Sequence, residues 1–117
     1  MGRVLVVERE GDVAFGLSLM LAVGNHGTRR VSTGVEALSL LTSRRHFDLV
    51  ITSSNILQGE GIELLRELKK RKPNVPIMMI TSDDISPELE DTVGVVIQEP
   101  TSMTDLVESV NFQLKKR

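Results

Sequence analysis

Short runs of β-branched and aliphatic residues recur along this chain, and longer segments with helical apolar spacing separate them. The runs are Val4–Val7, Thr28–Val31, Leu49–Thr52, Ile77–Thr81 and Val93–Ile97. Each has strand length and is bounded by turn-forming or charged residues. Between them, Val13, Leu17, Met20, Leu21 and Gly24 share one helical face. Val35, Leu38 and Leu41 share another, followed by Ile62, Leu65 and Leu68, and finally Leu106, Val110 and Leu114. Strands that alternate with helices build βαβ units, so the sheet is expected to be parallel and covered on both faces.

Right-handed crossovers leave few topologies for five such strands. The expected fold is α/β: a three-layer sandwich around a five-stranded parallel sheet of flavodoxin-like order 2-1-3-4-5. Ligands in that arrangement sit at the carboxyl ends of strands one and three. Boundary signals agree. Thr33 is placed to cap the second helix, with Glu36 three residues on as in a capping box. Gly24 and Gly27 flank the end of the first helix, Pro73 and Pro76 stop the third, and Thr101 or Ser102 caps the last. The stretch from Ser82 to Thr92 has only Ile85 and Leu89 as apolar anchors. One or two helical turns fit there, starting near Ser86–Pro87, so the fourth helix is expected to be short or missing.

The 117 residues fit a single domain spanning 1–117, large enough to bury a real core. With no cysteine, thiol chemistry and disulfides are excluded, which suits a cytoplasmic location. A net charge of −2 gives no general attraction for nucleic acid or an anionic membrane. The basic pairs Arg29–Arg30 and Arg44–Arg45 and the run Lys115–Arg117 read as solvated surface. No apolar run approaches the length of a signal peptide core or a membrane span. His26 and His46 read as surface residues, and Asp83–Asp84 as a solvated loop. Gly59-Glu60-Gly61 lacks the spacing of a nucleotide-binding loop.

The order of features resembles the receiver domain of response regulators. Val4 to Glu10 is similar to a receiver's first strand and its acidic pair. Phe47 to Ser53 resembles the third strand ending at the phosphoacceptor, and Pro76 to Ser82 the fourth strand with its hydroxyl residue at Thr81. Glu99-Pro100 falls where the family has Lys-Pro. The resemblance covers essentially the whole chain. It implies an aspartate that accepts a phosphoryl group beside Mg²⁺, two further acids that hold the metal, and a lysine on the phosphoryl oxygens.

This chain departs from that pattern. The acceptor position is Ser53, the acidic pair is Glu8-Arg9, and the lysine position is Glu99. A serine without an activating base forms no acyl phosphate, and Mg²⁺ requires hard oxygen ligands. The resemblance therefore implies a degenerate receiver with no metal, no cofactor and no enzymatic activity. Glu8, Arg9, Ser53, Thr81 and Glu99 remain as its remnant pocket. Arg9 is expected to pair with Glu99, Glu8 or Glu60. The position of the family's switch aromatic is Val96, which has no comparable rotamer swing.

Binding is then the expected role. On the first helix Phe15, Leu19, Ala22 and Val23 lie opposite the core face, and a helix apolar all round is usually covered on both sides. A protein partner or a second copy is the expected cover, with no nucleic acid and no membrane. Val95, Ile97 and Phe112 form a second candidate surface. Two alternatives stand beside this reading. One is an atypical switch sensing a small ligand or cation at Glu8, Ser53 and Thr81; the other is an enzyme built on the same sheet.

Overall fold

The computed structural model describes residues 2–43, 46–53, 61–81, 87–98 and 102–115. Its elements are β1 (Arg3–Val7), α1 (Gly11–Val23), β2 (Gly27–Val31), α2 (Gly34–Leu41), β3 (Leu49–Ser53), α3 (Gly61–Arg71), β4 (Ile77–Thr81), α4 (Pro87–Val93), β5 (Gly94–Gln98) and α5 (Met103–Lys115). The five strands form one parallel sheet of order β2-β1-β3-β4-β5. This is the expected flavodoxin-like fold, and α4 is the short helix at seven residues.

The strand pleat divides the core into two layers. Leu5, Val7, Val50, Ile77 and Met79 pack against Ala37, Leu41, Leu65 and Leu68 of α2 and α3. The alternate residues Val4, Val6, Leu49, Ile51, Met78 and Ile80 pack against Ala14, Leu21, Leu106 and Val110 of α1 and α5. The central strands β1, β3 and β4 are therefore apolar at nearly every position, because both of their faces are covered. The edge strand β2 is exposed up to Val31, which matches its Thr28-Arg29-Arg30 sequence.

Thr33 caps α2 as the sequence predicts. Its side chain accepts from the Glu36 N–H at 3.2 Å, and the Glu36 carboxylate accepts from the Ser32 N–H at 3.3 Å. The end of α1 differs from expectation. Asn25, rather than a glycine, takes the left-handed conformation, with φ of 66°. The His26 N–H bonds to the Leu21 carbonyl at 3.0 Å and the Asn25 N–H to the Ala22 carbonyl at 2.9 Å, which is a Schellman closure. Gly24 matters here for space: an added Cβ would lie 3.1 Å from both His26 and Val107.

Other boundaries and faces shift as well. Val93 closes α4 as a buried residue, and β5 starts at Gly94. Gly94 turns the chain with a φ of +86°, which a residue with a side chain adopts only under strain. Val13 and Val35 were expected in the core but are exposed, each in the first turn of its helix. His26 was expected at the surface but is buried. Its Nδ1 accepts from the Gly2 N–H at 3.0 Å, which makes Nε2 the donor to Asn111 Oδ1 at 2.7 Å. The ring thereby ties the start of β1 and the α1–β2 turn to α5. His46 is exposed, 2.9 Å from Asp48.

Candidate functional site

Parallel strands end together, so the carboxyl end of the sheet gathers the residues that follow β1, β3 and β4. Val7 lies beside Thr52 in the register of β1 and β3. One residue further, Glu8 falls next to Ser53. Both line a small cavity of about 40 Å³, walled by Val13 and Leu17 of α1, by Ile51 and by Ile80. That is room for one or a few waters.

Glu8 is the unusual group in this cavity. The residue is 2 % exposed. Its Oε1 accepts from the Glu10 N–H at 3.2 Å, which satisfies a free donor just before α1. Its Oε2 is sealed from water and has no hydrogen-bond partner among the described residues. A buried polar atom without a partner costs stability and asks for an explanation.

Thr81 is not among the residues that wall this cavity. Ser53 pairs with Ile80, so Thr81 is one residue beyond that register and the pleat sends it the other way. It is buried on the α2–α3 side with Ile77 and Met79. The structure thus brings Glu8 and Ser53 together and holds Thr81 behind them. Arg9 is exposed and forms no ion pair with Glu8 among the described residues. Its other two expected partners, Glu99 and Glu60, lie outside the described residues. So do Asp83 and Asp84.

The sequence reading missed Arg30, which it took for solvated surface. Although Arg30 is exposed, its Nε donates to the Glu8 carbonyl at 3.1 Å and its Nη2 to the Arg9 carbonyl at 2.9 Å. The Glu8 N–H in turn bonds to the Val31 carbonyl at 3.0 Å. The end of β2 therefore fixes the loop that carries Glu8. The parallel pairing Val6↔Arg30 is what brings this side chain within reach.

Val96 is half-buried on β5. Its packing is against the α2–α3 layer of the core. On α1, Phe15, Leu19 and Val23 are 65 %, 54 % and 72 % exposed, and Ala22 is exposed beside them. The only charged residue within α1 is Asp12. Phe112 is exposed on α5.

Comparison with known proteins places this architecture. The response regulator receiver domain model matches residues 4–111, and the chain belongs to that family. It is 32 % identical over 80 residues to the response regulator protein PilR of Pseudomonas aeruginosa, covering 68 % of this chain and 18 % of PilR. It is 29 % identical over 82 residues to the response regulator MprA of Mycobacterium sp. (strain KMS), covering 70 % of this chain and 35 % of MprA. The chain thus spans only about a third or less of the length of these relatives. Among solved structures, a CheY-like receiver domain protein from Methanospirillum hungatei superposes with a TM-score of 0.86 at 21 % identity, covering 99 % of this chain and 95 % of the other. TrrA from Thermotoga maritima, in complex with Mg²⁺–BeF, gives 0.85 at 24 % identity, covering 97 % and 99 %. At these identities the structural likeness is one of fold. No helix among the described residues is long and apolar enough to cross a membrane.

Proposed function

We propose that this receiver domain signals without accepting a phosphoryl group, as a cytoplasmic protein–protein interaction module. Ser53 carries the reading. It stands at the end of β3 beside Glu8, where the family pattern requires the acceptor carboxylate. A serine hydroxyl there cannot form the acyl phosphate that a carboxylate forms. The donors also fail to fit Mg²⁺, which binds through one or two carboxylates together with phosphate and water. Glu8 is the sole carboxylate among the described walls of the cavity, and one of its oxygens is already used by the Glu10 N–H. The second acidic position is the exposed cation Arg9.

The interaction surface is the outer face of α1. Phe15, Leu19, Ala22 and Val23 present an apolar stripe with no charge to repel a second copy or an apolar partner. The double variant Phe15→Asp, Leu19→Asp is expected to keep the fold and abolish self-association or partner binding, read by analytical ultracentrifugation and by retention of the natural partner. Assembly unchanged in that variant would overturn the α1 assignment.

The orphaned Oε2 of Glu8 favours one second reading, a small-ligand or cation switch in the cavity of Glu8 and Ser53, with Thr81 behind it rather than in its wall. A titration with Mg²⁺, K⁺ and ammonium, followed by amide NMR, separates the two. Saturable shifts at Glu8 and Ser53 with one cation support the switch, and an unmoved spectrum supports the interaction module.

A further inference from the structure

The helix α1 contains a glycine that the chain's own packing does not use. Gly16 stands in the middle of α1, and it is the only glycine away from a helix end among the described residues. A glycine there disfavours the helix relative to alanine, because it has more backbone freedom to lose. Packing within the chain gives no reason for it: a Cβ added at Gly16 meets nothing within 4 Å among the described residues. We infer that Gly16 receives the α1 helix of a second copy of this chain, so that α1 packs on itself in an antiparallel homodimer. The inference rests on the α1 interaction face proposed above and names its occupant.

Helical spacing lays out the surface. Phe15, Leu19 and Val23 follow one another at four-residue steps and form a ridge of exposed apolar side chains. The adjoining row holds Asp12, Gly16 and Met20, so the groove beside the ridge is deepest at Gly16. Ridge and notch lie on one patch, which is therefore complementary to itself. A two-fold dimer needs this property, since each copy supplies both halves of the contact. With the axis between Leu17 and Ser18, Leu19 of each copy fills the notch at Gly16 of the other. Phe15 and Val23 extend the contact to either side.

Charge selects the direction of the pair. Asp12 is the only charged residue within α1. In a parallel pair the two Asp12 carboxylates would lie close together and repel. In the antiparallel pair Asp12 lies opposite Val23 of the other copy. The carboxylates are then roughly 16 Å apart along the helices, at 1.5 Å per residue. That exceeds the screening length of about 8 Å at physiological ionic strength. Area sets the strength. The patch offers a few hundred Å², against about 800 Å² per partner in a standard interface. The dimer is accordingly weak, with a dissociation constant on the order of 100 µM.

The test is sedimentation equilibrium and amide NMR of the labelled chain between about 20 µM and about 1 mM, a range that brackets this constant. The average mass is expected to rise from monomer toward dimer, with concentration-dependent shifts at Phe15, Gly16, Leu19 and Val23. Gly16→Leu adds apolar surface and favours the helix, yet it fills the notch. It is expected to keep a dispersed spectrum and an equal or higher Tm while weakening the dimer at least tenfold. If Gly16→Leu does not fold, Gly16→Ala decides, with a raised Tm and a weaker dimer expected. A monomer at every concentration, shifts confined to another face such as that of Phe112, or a dimer equally tight or tighter in the Gly16 variant would each overturn the inference. A monomeric chain whose Phe15→Asp, Leu19→Asp variant still loses its natural partner would sink the homodimer and leave the α1 interaction face standing.

Discussion

The two ends of the sheet are built from the same kinds of parts and differ in room. At the carboxyl end Arg30 anchors the β1–α1 loop through two hydrogen bonds, and Glu8 keeps one oxygen without a partner among the described residues. At the amino end His26 anchors Gly2 and Asn111. The carboxyl-end cavity measures about 40 Å³ and the amino-end cleft about 640 Å³. Among the described residues, the larger opening lies at the end opposite the Glu8–Ser53 cavity.

That comparison breaks most visibly at the anchors. His26→Ala should cost about 3 kcal/mol of unfolding free energy, because it strands the Gly2 N–H and loses buried packing; urea denaturation reads this. A loss well below 1 kcal/mol would mean that the buried ring is not holding the amino end together. Glu8→Met should act in the opposite direction and raise stability by about 2 kcal/mol, since it removes a buried carboxyl group with one unmet oxygen. Destabilisation in the same assay would show that Oε2 has a partner in solution, such as a bound water or cation. Arg30→Met should cost about 1.5 kcal/mol and speed hydrogen exchange at Glu8 and Glu10, because two charge-assisted bonds to loop carbonyls are lost.

Much of the fold was legible because its signals are local. The strand runs, the Thr33–Glu36 capping box and the thin Ser82–Thr92 connection each act over a few residues, and each appears near its expected place. β4 coincides with the expected Ile77–Thr81 run. The faces of α1 were harder to read. Phe15, Leu19 and Val23 are as apolar as the residues that reach the core, so periodicity offers little contrast, and Val13 was assigned inward when it stands at a cavity mouth. Val35 misled as well: it stands in the first turn of α2 and is exposed.

The polar anchors were illegible for a different reason. His26 is buried by a contact spanning 85 residues, and Arg30 acts only once β2 is paired with β1. Within the candidate site, the adjacency of Glu8 and Ser53 follows from parallel register and was readable once five strands were counted. The separation of Thr81 turns on a single residue of pleat, which run boundaries cannot resolve.

The central claim is that the site beside Ser53 does not take a phosphoryl group. It is tested most directly by amide NMR of the labelled chain before and after addition of Mg²⁺ and acetyl phosphate, with intact mass measured on the same sample. The account predicts that the resonances of Glu8, Ser53 and Thr81 stay in place and that the mass is unchanged. Saturable shifts at those residues together with the mass gain of one phosphoryl group would contradict it.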